Sequence, residues 1–339
     1  MRKIINKIVF VMNSIAAFAL LLSYLLPYVS PKTFSLLSVL SLAVPILIVI
    51  NVLFLLYWLI LLNKKGILSL VVLIIGVSHV SSLYKIRGKS TDEADNTISL
   101  MSYNVHSFNR FDWIPSESIP QDISKLVHKE NPDIFCAQEF YNNPDINFDQ
   151  YPYKYQDFNN DNGELALAVF SKFPIIKKGS LHFKKTANNT IYTDIVIHTD
   201  TVRVYNVHLQ SHKINPKTDG LTKEASQKLV KRIQISFVKQ QEQMEILLAH
   251  MQKSPYKNIV MGDFNNTAYS YVYNKVTSEN LQDTFKIAGK GFGKTFEFKL
   301  FPVRIDFILI PEDYEVLMFE NFNVNFSDHY PISTKMRLN

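Results

Sequence analysis

Three long runs of apolar residues dominate the first quarter of the chain. They cover roughly 8–26, 36–62 and 67–84, and none of them contains Asp, Glu, Lys or Arg. Each has about 18 residues or more, the length that an α-helix needs to cross a hydrocarbon core of about 30 Å. The runs therefore predict three transmembrane helices. The second is long enough to tilt, and it contains Pro45 as a candidate kink.

The first run has an alternative interpretation as a cleaved signal peptide, because Arg2 and Lys3 precede it. Signal peptides are followed by a mature domain, whereas here two further apolar runs follow directly. This order favours an uncleaved membrane anchor over residues 1–89, with a polar linker at 90–97.

Beyond the linker the pattern changes to short apolar runs separated by Asn, Asp, Pro and Gly, which is typical of β-strands and their loops. Apolar residues that recur every three to four positions predict two helices, at 118–129 and 222–251. Mixed strands with few helices predict an α+β sandwich with helices outside, which we assign to 98–339. The predicted strands are 98–103, 133–138, 165–171, 191–198, 202–208, 257–262 and 304–310.

Charge divides the chain at the same place. Residues 1–89 contain nine Lys or Arg and no acid, whereas the rest contains 27 basic and 30 acidic residues. The formal net charge of +6 therefore belongs to the apolar region, and it does not indicate a nucleic-acid partner as a high pI otherwise would. The single cysteine, Cys136, excludes an intrachain disulfide and is expected in the core.

The basic residues also bear on orientation. Lys and Arg are enriched in cytoplasmic loops, so the basic N-terminus and the loop at Lys64–Lys65 favour a cytoplasmic location for both. Three spans would then place the sandwich outside the cytoplasm, at the cytoplasmic (inner) membrane. Lys85, Arg87 and Lys89 follow the third run and argue the other way.

Polar side chains recur where the predicted strands end. Any one of them has an ordinary structural explanation, as a turn former, a surface carboxylate or a histidine at a strand end. Six such ends together would be a coincidence, and strand ends on a rigid scaffold are where binding and catalysis concentrate. The residues are Asn104, Glu139, His208, Asp263 with Asn265, Asp306, and Asp328 with His329.

This set of side chains predicts a narrow range of chemistry. Carboxylate and amide oxygens are hard ligands, suited to Mg²⁺, Mn²⁺ or Ca²⁺. Two histidines and an amide could hold phosphate oxygens and stabilise the charge of a transition state, while an Asp orients or deprotonates water. The sequence contains no HExxH, CxxC, Walker loop or serine-nucleophile elbow that would indicate another reaction. Metal-assisted hydrolysis of a phosphate ester is the simplest interpretation.

The order and wording of the motifs resemble one family. SYNVH, QE, LAVFSKFPI, VYNVHLQS, GDFN, RIDFIL and SDHYPI follow one another over 98–338, as in the endonuclease/exonuclease/phosphatase superfamily of metal-dependent phosphoesterases. The resemblance implies a four-layered α/β sandwich, two packed mixed sheets flanked by helices, and Mg²⁺ or Mn²⁺ as the cofactor.

The resemblance also implies a role for each site residue. Glu139 would be the principal metal ligand, with Asn104 nearby on the metal or the phosphate and Asp328 completing the metal site. Asp263 would align or activate the water. The residues that would act on phosphate are His208, Asn265 and His329, the last oriented by Asp306.

The substrate stays open at this point. A lipid headgroup would suit a membrane anchor, a nucleic acid would make the protein an endo- or exonuclease, and a small phosphodiester is a third option. A non-catalytic phosphate-binding domain on an anchor is the alternative from another class. The slight acidic excess mildly disfavours salt-dependent binding of nucleic acid. The loops 141–163, 211–222 and 283–303 are expected to select the substrate, and no protein partner is evident.

Overall fold

The computed structural model describes residues 2–89, 96–144, 146–158, 164–213, 223–298 and 301–338. Most of the predicted linker, at 90–95, and parts of the three predicted substrate loops lie outside these ranges. The chain forms two compact units. One comprises Met1–Tyr84, Lys213–Gln241 and Thr267–Asn274, and the other comprises Lys85–His212, Glu242–Asn266 and Lys275–Asn339.

The N-terminal helices are α1 (Arg2–Ser23), α2 (Pro31–Val39), α3 (Val44–Ile60), α4 (Ile67–Ile75) and α5 (Val77–Leu83). Two helical stretches, Arg2–Tyr28 and Pro31–Ile60, are long and apolar enough to cross a membrane. Pro45 lies in the first turn of α3, where its missing N–H removes no helical hydrogen bond. The first two predicted spans are thus present as apolar helices.

The third predicted span differs from a straight helix. The stretches Lys64–Ile75 and Val77–Leu83 meet at an angle of 79°, with Gly76 at the break. A Cβ at Gly76 would lie 2.0 Å from the hydroxyl oxygen of Tyr24, and that hydroxyl donates a hydrogen bond to the carbonyl of Val72. The carbonyl of Val72 also accepts from the backbone N–H of Gly76 at 3.0 Å, so the tyrosine hydroxyl adds a second hydrogen bond to the last helical carbonyl before the break. The bent pair makes a third span only if it crosses the membrane as a broken helix.

A buried polar network joins α1, α3 and α4. The amide of Asn13 donates to the hydroxyl of Ser69 at 2.6 Å and accepts from the indole N–H of Trp58 at 2.8 Å. Ser69 in turn donates to the amide oxygen of Asn51, and all four side chains are buried. Hydrogen bonds between helices fix their register where packing alone is nonspecific. The hydropathy pattern of the three runs did not indicate these contacts.

The remaining helices are α6 (Ile119–Glu130), α7 (Lys223–Met251), α8 (Tyr271–Thr277) and α9 (Thr284–Ala288). The strands are β1 (Tyr84–Lys85), β2 (Thr97–Asn104), β3 (Ile134–Tyr141), β4 (Tyr153–Asp157), β5 (Leu165–Ser171), β6 (Ile175–Ser180), β7 (Asn189–Ile197), β8 (Asp200–His208), β9 (Lys257–Asp263), β10 (Leu281–Asp283), β11 (Gly291–Phe292), β12 (Asp306–Pro311), β13 (Glu315–Asn321) and β14 (Ile332–Arg337). The seven predicted strands and both predicted helices are confirmed, with small shifts at their ends.

Two six-stranded mixed sheets form the second unit. The first sheet has the order β13-β14-β2-β3-β5-β4 and the second β10-β12-β9-β8-β7-β6. Each contains one parallel pair, β2 with β3 and β8 with β9. Parallel neighbours present their carboxyl ends at the same edge of a sheet, so the ends of β2, β3, β8 and β9 are the expected place for a site.

Successive side chains along the strands point to opposite faces of the sheet and belong to two different hydrophobic cores. Leu100, Cys136 and Val204 belong to the core that both sheets share, whereas Met101 and Phe135 point to the opposite face. That outer face packs against α6, whose buried residues Ile119, Ile123 and Val127 recur every four positions. In the second sheet, the hydroxyl of Tyr205 lies 2.8 Å from Nδ1 of His250 in α7. Helices therefore flank both sheets, as predicted.

Candidate active site

The carboxyl ends of β2, β3 and β9 meet at the buried amide of Asn104. Its nitrogen donates to Oε1 of Glu139 at 3.3 Å and to Oδ2 of Asp263 at 3.2 Å, and its oxygen accepts from the backbone N–H of His106 at 3.1 Å. Asn104 and Glu139 belong to the first sheet and Asp263 to the second. One side chain thus joins two carboxylates from the two halves of the sandwich.

Glu139 lies in a β-bulge. The register of β3 against β5 shifts between Ala137 and Phe140, and Glu139 has a left-handed backbone with φ of 49°. A bulge re-aims one side chain out of the regular alternation. Here it leaves the Glu139 side chain 28% exposed at the rim of an otherwise buried strand.

A second asparagine holds this bulge from the opposite sheet. Nδ2 of Asn206, in β8, donates to the carbonyls of Ala137 at 2.9 Å and Ala168 at 2.8 Å, the last pair before the shift. Its oxygen accepts from Nε2 of Gln138 at 2.7 Å. Asn206 is fully buried, so these bonds fix the local position of β3 relative to β8.

Asp263 sits at a corner that only glycine permits. Gly262 has φ of +135°, and a Cβ there would lie 2.1 Å from the carbonyl oxygen of Val207 on the neighbouring strand. In the residue that follows Gly262, the carboxylate of Asp263 accepts from the backbone N–H of Asn265 at 2.7 Å and from the side-chain amide of Asn265 at 3.2 Å. The predicted strand-to-turn corner is therefore present, and its turn is organised around the carboxylate.

His208 faces the carboxylates without a good partner. Its Nε2 lies 3.7 Å from Oε1 of Glu139 and 3.7 Å from Oδ2 of Asp263. Both distances exceed a hydrogen bond, and within the described parts of the chain this buried nitrogen has no hydrogen-bond partner. Burial lowers the pKa of His208, against the raising effect of Glu139. A nitrogen left in this way is a candidate contact for a ligand oxygen.

His329 lies between two buried carboxylates. Its Nδ1 is 3.0 Å from Oδ2 of Asp306, and its Nε2 is 3.7 Å from Oδ2 of Asp263. Burial by itself would lower the pKa of His329, but the charges of Asp306 and Asp263 raise it to about 10. Burial raises the pKa of Asp263, against the charge of His329. The ring is thus held as a cation that faces into the site.

Asp328 reaches the site through contacts that sequence reasoning did not assign. Its Oδ1 lies 2.9 Å from Nδ1 of His106, and the hydroxyl of Ser327 donates to the carbonyl of Asn104 at 2.9 Å. Burial would raise the pKa of Asp328, but the hydrogen bond from His106 and the charge of His329 lower it to about 2. All eight predicted residues thus belong to one network of contacts.

Four further residues belong to the network: His106, Asn206, Ser327 and Thr295. The hydroxyl oxygen of Thr295 accepts from the backbone N–H groups of Ile305 and Asp306. One signal in the sequence could have indicated two of them. The tetrapeptide YNVH occurs twice, at 103–106 and 205–208, where β2 and β8 end. The first copy has its Asn at the last residue of β2, and the second copy has its His at the last residue of β8.

Two groups of residues could hold a divalent cation. Ligand atoms of Asp263, Asp306 and His329 lie within 4.8 Å of one another. The raised pKa of His329 disfavours metal binding by these three residues, because a protonated imidazole has no lone pair to donate to a cation. The partly exposed carboxylate of Glu139 beside Asp263 provides oxygen ligands alone, which is the donor set that Mg²⁺ prefers.

Comparisons with known proteins match two separate parts of the chain. The model of the Endonuclease/Exonuclease/phosphatase family matches residues 101–329, and the model of a domain of unknown function matches residues 6–83. None of the curated proteins compared with the chain matches it.

Solved structures share the fold at low sequence identity. The endonuclease/exonuclease/phosphatase from Bacteroides vulgatus is 18% identical, with a TM-score of 0.56 over 72% of this chain and 99% of that one. The human Nocturnin catalytic domain with bound sulfate is 16% identical, with a TM-score of 0.53 over 73% and 95%. Humanized D. rerio TDP2 is 14% identical, with a TM-score of 0.52 over 72% and 100%. At these identities the similarity shows the fold alone.

Proposed function

The chain belongs to the endonuclease/exonuclease/phosphatase family, and from this membership we propose that it is a membrane-anchored hydrolase of phosphate esters, acting as a phosphodiesterase or phosphatase with Mg²⁺ or Mn²⁺. The observation that carries the proposal is the contact of Asn104 with both Glu139 and Asp263. It is supported by the buried Nε2 of His208, which lies 3.7 Å from each of the same two carboxylates. Carboxylates, an available imidazole and a cationic imidazole in one cluster suit an anionic ester and a metal ion.

In this proposal Glu139 is the principal ligand of the cation, with Asn104 and Asp328 beside it. The cation supplies charge stabilisation to the phosphate when bound. Asp263 orients the attacking water and accepts its proton, which suits a carboxylate whose pKa is raised by burial. His208, Asn265 and His329 hold the phosphate oxygens.

The cationic state of His329 is the electrostatic part of the proposal. Asp306 holds Nδ1, so Nε2 points toward Asp263. A fixed positive charge in a buried site stabilises the extra negative charge that develops on phosphorus oxygens, without reorganisation during the reaction. Asp306 therefore acts as a positioning residue.

Anchoring in the cytoplasmic membrane is proposed from the two apolar helices, Arg2–Tyr28 and Pro31–Ile60. Their length and composition fit a hydrocarbon core. With the basic N-terminus and the Lys64–Lys65 loop in the cytoplasm, the catalytic domain lies outside the cytoplasm when the bent pair Lys64–Ile75 and Val77–Leu83 forms a third span. A membrane-held site is compatible with a lipid headgroup and with a soluble phosphate ester.

Hydrolysis by the purified full chain in detergent micelles tests the proposal. The substrates are bis(p-nitrophenyl) phosphate, plasmid DNA, phospholipid and sphingomyelin, each with Mg²⁺ and with EDTA. Asp263→Asn is expected to lower kcat by roughly 10²- to 10⁴-fold, the usual loss for a general base. Asp313→Asn, at an exposed carboxylate that pairs with Lys257, is the matched control and keeps full activity.

Activity that requires a divalent cation and falls in Asp263→Asn supports the proposal. Activity that survives both EDTA and Asp263→Asn overturns it. Binding of phosphate without turnover of any substrate would instead assign a non-catalytic phosphate-binding domain.

A further inference from the structure

A cavity of about 490 Å³ lies in the second unit, between a glycine-rich loop and the end of β13. Its lining comes from the loop that carries Lys290 and Lys294, from the strand end at Asn321, and from Tyr330. None of the predicted site residues lines it, although Tyr330 directly follows His329 in the chain. The cavity is therefore a separate feature from the candidate active site.

The loop is held in place at Lys294. Its ammonium donates to Oε2 of Glu297 at 2.6 Å and to the hydroxyl of Tyr330 at 3.0 Å. The backbone N–H of Tyr330 in turn donates to the carbonyl of Thr295 at 2.8 Å. An ammonium group has three N–H donors, so Lys294 retains one donor for a ligand.

Further nitrogen donors border the same cavity. Lys290 is exposed, and within the described parts of the chain its ammonium has no ion pair. Nδ2 of Asn321 is buried and has no hydrogen-bond partner among the residues that the structure describes. Because a buried donor without a partner is costly, this nitrogen is a candidate contact for a ligand oxygen.

One acidic residue, Glu320, also borders the cavity, but its carboxylate belongs to the other face of β13. Successive side chains of a strand point to opposite faces, and the neighbouring Phe319 packs against the core that both sheets share. Burial and the charge of Glu130, at the end of α6, raise the pKa of Glu320. The carboxylate therefore lies on the side of α6, and the charged side chains that face the cavity are the two lysines.

The loop also leaves backbone open to the cavity. Gly291 has φ of +70°, and a Cβ there would meet no atom within 4 Å. Glycine is thus required by the left-handed conformation, and the missing side chain lets a ligand approach the backbone closely. Beside it, Phe292 is 48% exposed and provides an apolar wall together with Phe319.

We propose that this cavity is a second phosphate-binding site, in which Lys290, Lys294 and the amide of Asn321 hold the oxygens of a phosphate group. Hydrogen bonds from cationic donors to phosphate are the strong ones. The phosphate is either free inorganic phosphate or the headgroup of an anionic phospholipid, whose apolar part would meet Phe292. The site requires neither the proposed metal ion nor hydrolysis.

Calorimetric titration of the full chain in detergent micelles with inorganic phosphate tests the inference, in buffer freed of divalent cations on a chelating resin. Asn321→Asp keeps the shape of the side chain but adds a negative charge, and it is expected to weaken binding roughly 10-fold or more. Lys290→Ala removes an exposed cation and is expected to weaken binding roughly 2- to 5-fold without affecting the fold. Lys184→Ala, at an exposed lysine outside the cavity, is the control and binds as the wild type does.

His208→Ala separates the cavity from the candidate active site, where the proposed function also places phosphate oxygens. One phosphate that His208→Ala binds with wild-type affinity, and that Asn321→Asp loses, supports the second site. No binding by the wild type overturns it, and so does an equal loss in His208→Ala and Lys290→Ala. Affinity that neither Asn321→Asp nor Lys290→Ala changes also overturns it. Since no turnover is measured, the proposed function is tested independently.

Dihexanoylphosphatidic acid, titrated in the same way, identifies the source of the phosphate group. Binding that is tighter than that of inorganic phosphate and is weakened by Phe292→Ala assigns an anionic phospholipid headgroup. Binding that is no tighter assigns free phosphate. Affinity for both ligands that is unaltered in Asn321→Asp overturns the site for either source.

Discussion

Asn206 gives the sharpest test of how the sandwich holds its site. Replacing it with Ala removes the two donors that reach the carbonyls of Ala137 and Ala168 and the acceptor for Gln138. The amide of Gln138 retains a contact with the hydroxyl of Ser102 at 3.2 Å, so the two carbonyls carry most of the loss. A buried polar group that loses its partner costs about 1–3 kcal/mol.

The loss of the hydrogen bonds from Asn206 to both carbonyls therefore predicts a decrease of about 3 kcal/mol in the free energy of unfolding for Asn206→Ala. For a domain of this size, each kcal/mol lowers Tm by roughly 2–4 °C, so we expect a decrease of roughly 6–12 °C. Thermal unfolding of the full chain in micelles, followed by circular dichroism, measures it. Asn323→Ala, at an exposed asparagine, is the matched control and stays within about 0.5 kcal/mol of the wild type.

The same substitution has a second expected effect, on turnover. Because Asn206 holds the strand just before the bulge, its loss allows Glu139 to move, and a displacement of about 1 Å can cost roughly 10²-fold in rate. Activity is measured well below the lowered Tm, where the chain is folded. A variant with wild-type Tm and wild-type kcat would refute the reasoning, because the contacts would then carry neither stability nor position.

Three other predictions follow from single contacts. Gly262→Ala forces a Cβ into the carbonyl of Val207, and we expect reduced Tm and strongly reduced kcat; an unchanged kcat would show that the corner tolerates a side chain. Asp306→Asn removes a charge that raises the pKa of His329. In the wild type that pKa is about 10 against an ordinary 6.5, so the stabilisation is complete below pH 6.5 and is lost as pH rises to 10. The variant in EDTA should show a smaller fall in Tm between pH 6 and 9, and an unaltered fall would contradict this. Asn13→Leu should destabilise the helical unit by about 1 kcal/mol, measured by proteolysis in micelles, and equal protease resistance would exclude the network as its source.

The strands that end at the candidate site were predicted better than the outer strands. Strands such as β8 and β9 are continuous apolar runs bounded by turn residues, so their pattern was clear. By contrast, β4 and β6 lie at sheet edges, where mostly half-exposed and exposed side chains give a weak apolar signal. The same applies to β13, whose alternation is interrupted by a register shift at Val316.

Candidate site residues with charged or titratable groups were easier to predict than residues that hold the site in place through hydrogen bonds. Asp263 and His329 carry recognisable chemistry, whereas Asn206 and Thr295 are ordinary residues whose importance comes from contacts distant in sequence. The break at Gly76 was hidden for a similar reason. Hydropathy registers its apolar neighbours but not the ring of Tyr24 that occupies the space beside it.

The path of the chain through the two sheets has a consequence for synthesis. Strands β2 to β5 build most of the first sheet, β6 to β10 and β12 build the second, and β13 and β14 then return to complete the first. In the proposed assignment Asp328 and His329 lie on this returning segment, directly before β14. Under the proposed function, a nascent chain would therefore lack the cationic imidazole until this segment is synthesised, and hydrolysis would begin only when β14 has joined the first sheet.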